Sequence, residues 1–180
     1  MLNVSLVTQA PWLIVKHSTA YLTASIFRYK IGSLLMEIMD YEIKRHTQWS
    51  EDIAHKKIKD DAKAEKRFNA FVAKQEQALR VSIYLLLNLA EDTKVEEKMA
   101  KKNIVPLLAA LLERKNQELL ILVVSFMKKL SCYVKNKEEM KNLNVVDKLA
   151  QALLGTEDNF DLVNATVRLL LNLSFDADLR

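Results

Sequence analysis

Apolar positions along this chain recur at steps of three and four, the spacing that puts side chains on one face of a helix. Leu119, Leu122, Val123, Phe126 and Leu130 make one such series, and Leu162, Ala165, Leu169 and Leu173 make another. The pattern predicts two successive sets of three helices. The first set covers 95–101, 105–113 and 118–132, and the second covers 137–142, 146–154 and 161–174. Pro106 falls in a first turn, where its missing N–H costs nothing. Gly155 falls where a helix should stop. Upstream the spacing predicts a helix over 31–49, with Leu34, Leu35, Ile38, Met39 and Ile43 on its buried side, and another over 75–90. The long third helices are apolar nearly all round, so neighbouring helices must cover them.

The sets repeat. Leu85 to Ala90, Phe126 to Ser131 and Leu169 to Ser174 end alike, and their anchors Leu89, Leu130 and Leu173 lie 41 and 43 residues apart. A second register agrees, because Met99 and Met140 are 41 apart and so are Ile104 and Val145. A purely helical period of this length belongs to the armadillo/HEAT class. The expected fold is therefore all-α, an armadillo-repeat right-handed superhelical solenoid. Its expected units are an atypical N-terminal helical segment at 1–28, repeats at 29–92, 93–134 and 135–176, and the truncated start of a further repeat at 177–180. The first repeat carries a charged insertion at 51–67, read as an exposed helical extension or a loop. Repeat arrays usually end in a polar capping repeat, and none follows residue 176, so the expectation is a fragment or short form of a longer array. Leu170 and Leu173 would then lie on an open apolar face that promotes self-association.

Composition narrows the chemistry. Only 2 of 180 residues are glycine and 2 are proline, which excludes turn-rich β folds and any glycine-rich phosphate loop. With 27 Lys+Arg against 23 Asp+Glu, the net charge of +4 calls for no nucleic acid. No apolar run reaches the length of a membrane span, and the N-terminus, with Pro11 and a first charge at Lys16, does not read as a signal peptide. Cys132 is the only cysteine, so a reducing, cytoplasmic setting fits, and its apolar surroundings predict a small core residue rather than a nucleophile. Gly32 and Gly155 stand alone. His46 and His55, nine residues apart, fall on opposite sides of a continuous helix, and His17 is remote. No enzyme, cofactor, metal or small-molecule substrate is expected. Trp49 is expected to pack as structure, while Trp12 follows Pro11.

Binding is the better candidate. In an armadillo array the third helices line a concave groove where polar side chains can hold an extended peptide. By repeat register the key positions are Asn88, Lys129 and Asn172. One turn earlier lie Tyr84, Ser125 and Arg168, and a turn before that Arg80, Ile121 and Asn164. The polar members form a net positive stripe, expected to hold a partner segment with acidic side chains. The plainer reading of Asn88 and Asn172 is that they satisfy local carbonyls. Importin-like armadillo proteins carry tryptophans beside such asparagines. Tyr84, Ser125 and Arg168 stand there instead, which disfavours nuclear import.

Several longer strings go beyond leucine spacing. Arg28 to Ile38 (RYKIGSLLMEI), Lys44-Arg45-His46, Lys74 to Gln77, Leu79 to Asp92 (LRVSIYLLLNLAED), Glu118 to Ser131 (ELLILVVSFMKKLS) and Arg168 to Arg180 (RLLLNLSFDADLR) resemble the kinesin-associated protein family. The resemblance runs over about 28–180, whereas residues 1–27 do not look like the family's preceding repeat. It implies the non-motor armadillo subunit of heterotrimeric kinesin-2. Such a scaffold binds motor tails and cargo adaptors for microtubule-based transport, notably into cilia and flagella. The alternative is a generic armadillo adaptor unconnected with motors.

Overall fold

The computed structural model describes residues 31–55, 62–156 and 158–175. Eight helices lie among them, with no strand: α1 Ile31–His55, α2 Ala62–Leu89, α3 Thr93–Lys101, α4 Ile104–Leu111, α5 Gln117–Leu130, α6 Val134–Asn142, α7 Val145–Leu153 and α8 Phe160–Ser174. After the long α1–α2 pair, the order short, short, long occurs twice. The third helices α2, α5 and α8 lie side by side, α5 between the other two, and α1 packs against α2 and α4.

Local chemistry sets these boundaries. The side chains of Asp92, Asn116 and Asn159 accept from the backbone N–H of Lys94 (2.9 Å), Leu119 (3.0 Å) and Leu162 (3.1 Å), capping α3, α5 and α8. Asn103 and Asn144, 41 residues apart, both take left-handed backbone (φ 61° and 51°) where one short helix turns into the next. Asparagine tolerates that region better than most residues. Gly155, at φ 78°, follows the end of α7, as its position in the sequence suggested.

The repeat anchors occupy matching places. Leu89, Leu130 and Leu173 sit buried in the last turns of α2, α5 and α8, and Met99, Met140, Ile104 and Val145 are buried as well. The expected burial of α1 needs correction. Met36 and Met39 face the core, with Leu35 and Ile43 half-buried, while Leu34 and Ile38 are exposed. Apolar residues surround this helix at several angles, and contact with α2 and α4 selects which face is covered. Cys132 is exposed, not a core residue. Helix α5 ends at Leu130, and the buried small residue beyond it is Ser131.

The flanks of the charged stretch are helical. Helix α1 runs to His55 rather than ending near Trp49, and α2 begins at Ala62 rather than near Gln75. Lysine, glutamate, alanine and arginine favour helix without a buried face. Aromatic packing ties the two helices together here. The Trp49 ring centroid lies 4.5 Å from that of Phe71 and 6.2 Å from that of Phe68, and His46 is 5.9 Å from Phe68. Trp49 therefore packs as structure. The readings of 1–28, of 56–61 and of 177–180, with Trp12 and His17, lie outside the described residues.

The open apolar face of α8 also differs from expectation. Leu173 is buried and Leu170 half-buried, while Val167 and Leu171 are exposed between Phe160 and Phe175. On α5, by the same 43-residue step, Val124 is buried, and α8 is the helix packed most extensively on α5. Exposed apolar surface of this kind drives association. Replacing both Val167 and Leu171 by lysine should shift a concentration-dependent oligomer toward monomer in light-scattering chromatography. A wild-type chain that elutes as monomer at every concentration would contradict this.

Candidate functional site

Helices α2 and α5 lie side by side and leave an open groove of about 800 Å³ between them. Val81, Tyr84 and Leu85 of α2 and Ile121 and Leu122 of α5 give it an apolar floor. Val81 is 55% exposed and Leu85 41%, so the side chains expected to need cover from neighbouring helices instead line an accessible surface. Arg80 of α2 forms an ion pair with Glu118 of α5 at the rim. In so exposed a place the pair contributes little stability, but it offsets a positive charge that the sequence assigned to the groove.

The eight predicted site residues have distinct surroundings. Arg80 and Tyr84 line the groove, the latter 45% exposed, whereas Asn88, Ser125, Lys129, Asn164, Arg168 and Asn172 are not among its lining. Asn88 Nδ2 donates to the Tyr84 carbonyl at 2.7 Å, one turn back in its own helix. Asn172 Nδ2 donates to the Lys128 carbonyl (3.3 Å) and to Ser131 Oγ (3.0 Å), joining α8 to α5. Asn164 Oδ1 accepts from Arg168 Nε at 3.1 Å, and Arg168 is exposed. Ser125 and Lys129 are half-buried on α5, and the Lys129 ammonium acts on the Glu96 carboxylate of α3.

A polar cluster supports one end of the groove. Buried Gln75 of α2 donates through Nε2 to the Glu42 carbonyl (2.6 Å) and to Glu42 Oε2 (2.8 Å) of α1. Arg114, in the connection between α4 and α5, donates to Gln75 Oε1 at 3.2 Å. Burial lowers the pKa of Arg114, while Glu76 and Glu42 oppose that shift and favour its charged form. His46 is held below its ordinary value of 6.5, first by burial and then by the Arg114 charge.

Asparagines at the starts of the long helices serve two purposes. Asn116 caps α5 while its Nδ2 donates to Glu76 Oε2 of α2 at 2.9 Å, and Asn159 caps α8 while its Nδ2 donates to Gln117 Oε1 of α5 at 2.8 Å. The two asparagines are 43 residues apart and their partners 41. One side chain thus both begins its helix and fixes its register on the preceding one. The recurrence of asparagine before the apolar runs of α5 and α8 was the available signal for this, and leucine spacing alone missed it. The apolar floor was foreshadowed by Leu85-Leu86-Leu87, since three consecutive leucines cannot share one helix face.

Among the described residues, no three His, Cys, Asp or Glu side chains are placed to hold a metal. Helix α1 is continuous through His46 and His55, which keeps those two apart. No described helix is long and apolar enough to cross a membrane.

No solved structure matches the chain. A family model described as kinesin-associated protein (KAP) matches residues 4–180, through all eight helices and the charged stretch. The match begins at residue 4, upstream of residue 28, where the resemblance was expected to start. The chain belongs to the kinesin-associated protein family, a family of non-catalytic scaffolds that associate with kinesin.

Proposed function

We propose that this chain acts as an adaptor subunit of a kinesin-2 motor complex, binding motor tails and cargo adaptors along the face of α2, α5 and α8. Its setting is the cytoplasm at microtubules, in transport that supplies a cilium or flagellum. Its units are armadillo repeats at 29–92, 93–134 and 135–176, the first with its charged stretch at 51–67. No nucleic acid, membrane insertion, cofactor or small substrate enters this role. The observation carrying the reading is the groove between α2 and α5, where an apolar floor is bordered by the Arg80–Glu118 pair. Apolar side chains of a tail segment would supply contact area there, and Lys129 and Arg168 would select acidic residues farther along. Family membership favours a motor-linked partner over an adaptor unconnected with motors.

Reversing Lys129 and Arg168 together to glutamate should weaken capture of a motor-tail peptide several-fold at low salt, less at high salt, because screening acts on exposed charges. Fluorescence anisotropy with the purified chain measures this, and circular dichroism checks that the helices persist. Unchanged affinity at low salt would remove the electrostatic part of the proposal.

A further inference from the structure

Glu96 of α3 is only 5% exposed, and its Oε1 has no hydrogen-bond partner. A buried carboxylate oxygen left unpaired is costly, so its retention asks for a reason. Glu96 lines a cavity of about 160 Å³ between α3 and α6, together with Glu97, Lys101, Tyr133, Lys135 and Asn136. That volume suits one side chain rather than a peptide segment. Tyr133 hydrogen-bonds the Glu96 carboxyl and contributes an aromatic wall.

The repeat itself does not produce this cavity. By the 41-residue step, Tyr133 stands where Asp92 caps α3, and Lys137 stands where Glu96 lies. Tyr133 makes no side-chain cap for α6, whereas Asp92 caps α3. The chain here gives up a helix cap and buries a carboxylate, two departures from local preference at one spot. Such conflicts concentrate at functional sites.

We propose that the cavity between α3 and α6 is a socket for a positively charged side chain of a protein partner, received by the Glu96 carboxylate against the Tyr133 ring. The unpaired oxygen is an acceptor, so the occupant must bring a hydrogen-bond donor. Glu97 and Glu96 balance Lys101 and Lys135 in the lining, and a carboxylate oxygen without a donor beside an aromatic face favours a cation that brings its own N–H. Rotation about the last torsion of Glu96, a soft one, presents Oε1 to the cavity. Lys101 of α3 and Lys135 of α6 line the same cavity, and the Lys129 charge of α5 acts on the carboxylate. None of them bonds Oε1. The socket lies on the short helices and shares no lining residue with the groove between α2 and α5, and Lys129, which the proposed tail-binding face also uses, lines neither, so the socket is tested with Lys129 unchanged.

The test is a titration of the isotope-labelled full chain with N-acetylarginine amide, using N-acetylcitrulline amide as the uncharged match. Saturable shifts of the Glu96 carboxyl and Tyr133 ring signals are expected with the arginine probe and not with the citrulline one. Glu96→Gln should weaken binding at least about tenfold, the size of one lost charge-assisted contact. Ala100→Met, which fills the cavity from its wall, should block binding with the carboxylate retained, and it serves as the second variant if Glu96→Gln fails to fold. Absent saturation, equal shifts from both probes, or undiminished binding in either folded variant would overturn the socket.

Discussion

Replacing Arg114 with methionine is expected to destabilise the chain by about 3 kcal/mol, the low end for removing one partner from a buried charged cluster. The low end applies because Glu76 and Glu42 keep some contact with water. Methionine retains much of the volume, so the loss reports charge and hydrogen bonding more than a cavity. It leaves Gln75 Oε1 without its donor and removes the cation facing Glu42 and Glu76. Asn116 would still bond Glu76, which keeps α5 attached to α2.

A second readout separates this cluster from general loosening. The His46 pKa lies below 6.5 in the folded chain, owing first to burial and second to Arg114. Folding therefore favours the neutral ring. The stability it contributes is complete above pH 6.5 and is lost as pH falls through the lowered folded value. Without Arg114, His46 should titrate closer to 6.5, and the stability lost on mild acidification should shrink. Glu96 titrates in the opposite sense, since burial raises its pKa. That contribution is common to both proteins and cancels in the difference. Urea unfolding at neutral and mildly acidic pH, with an NMR titration of His46, measures both effects. Unchanged stability and an unmoved His46 midpoint would show that the cluster is solvated and weak.

Arg114 also illustrates where sequence reasoning stops. In the charged connection Glu113-Arg114-Lys115 a cation reads as solvated, and nothing within its own repeat indicates Gln75, 39 residues earlier. The helices α3 to α8 were legible because burial enforces three- and four-residue steps, and their observed boundaries lie within a few residues of those expected. The ends of α1 and α2 were not, because a charged run lacks that stripe, and the pairing of Trp49 with Phe68 and Phe71 is a tertiary event. The candidate site divides along the same line. Register placed Asn88 and Asn172 in matching positions, yet one bonds its own helix and the other reaches α5. Arg80 and Glu118 are 38 residues apart, outside either repeat period, so only the packing of α2 on α5 brings them together.

The same motif position also gives unequal energetics, and Phe126 makes the difference measurable. Phe126 is fully buried, whereas its counterpart 41 residues earlier, Leu85, is 41% exposed on the groove floor. Phe126→Ala should cost about 3–5 kcal/mol through lost burial and an unfilled cavity. Leu85→Ala should cost under about 1 kcal/mol, because little packing is lost at an exposed position. The larger loss should also spread in one direction. Helix α8 packs mainly on α5, so weakening α5 removes the support on which α8 depends. In a stacked array stability is set by each unit and its neighbours. Native-state hydrogen exchange should therefore show α8 amides losing protection along with α5 in Phe126→Ala, with both helices unaffected in Leu85→Ala. Equal costs for the two substitutions, or loss of protection confined to α5, would mean that α8 holds its place without α5, and the stacking of successive helix sets would no longer account for the stability of the face they form.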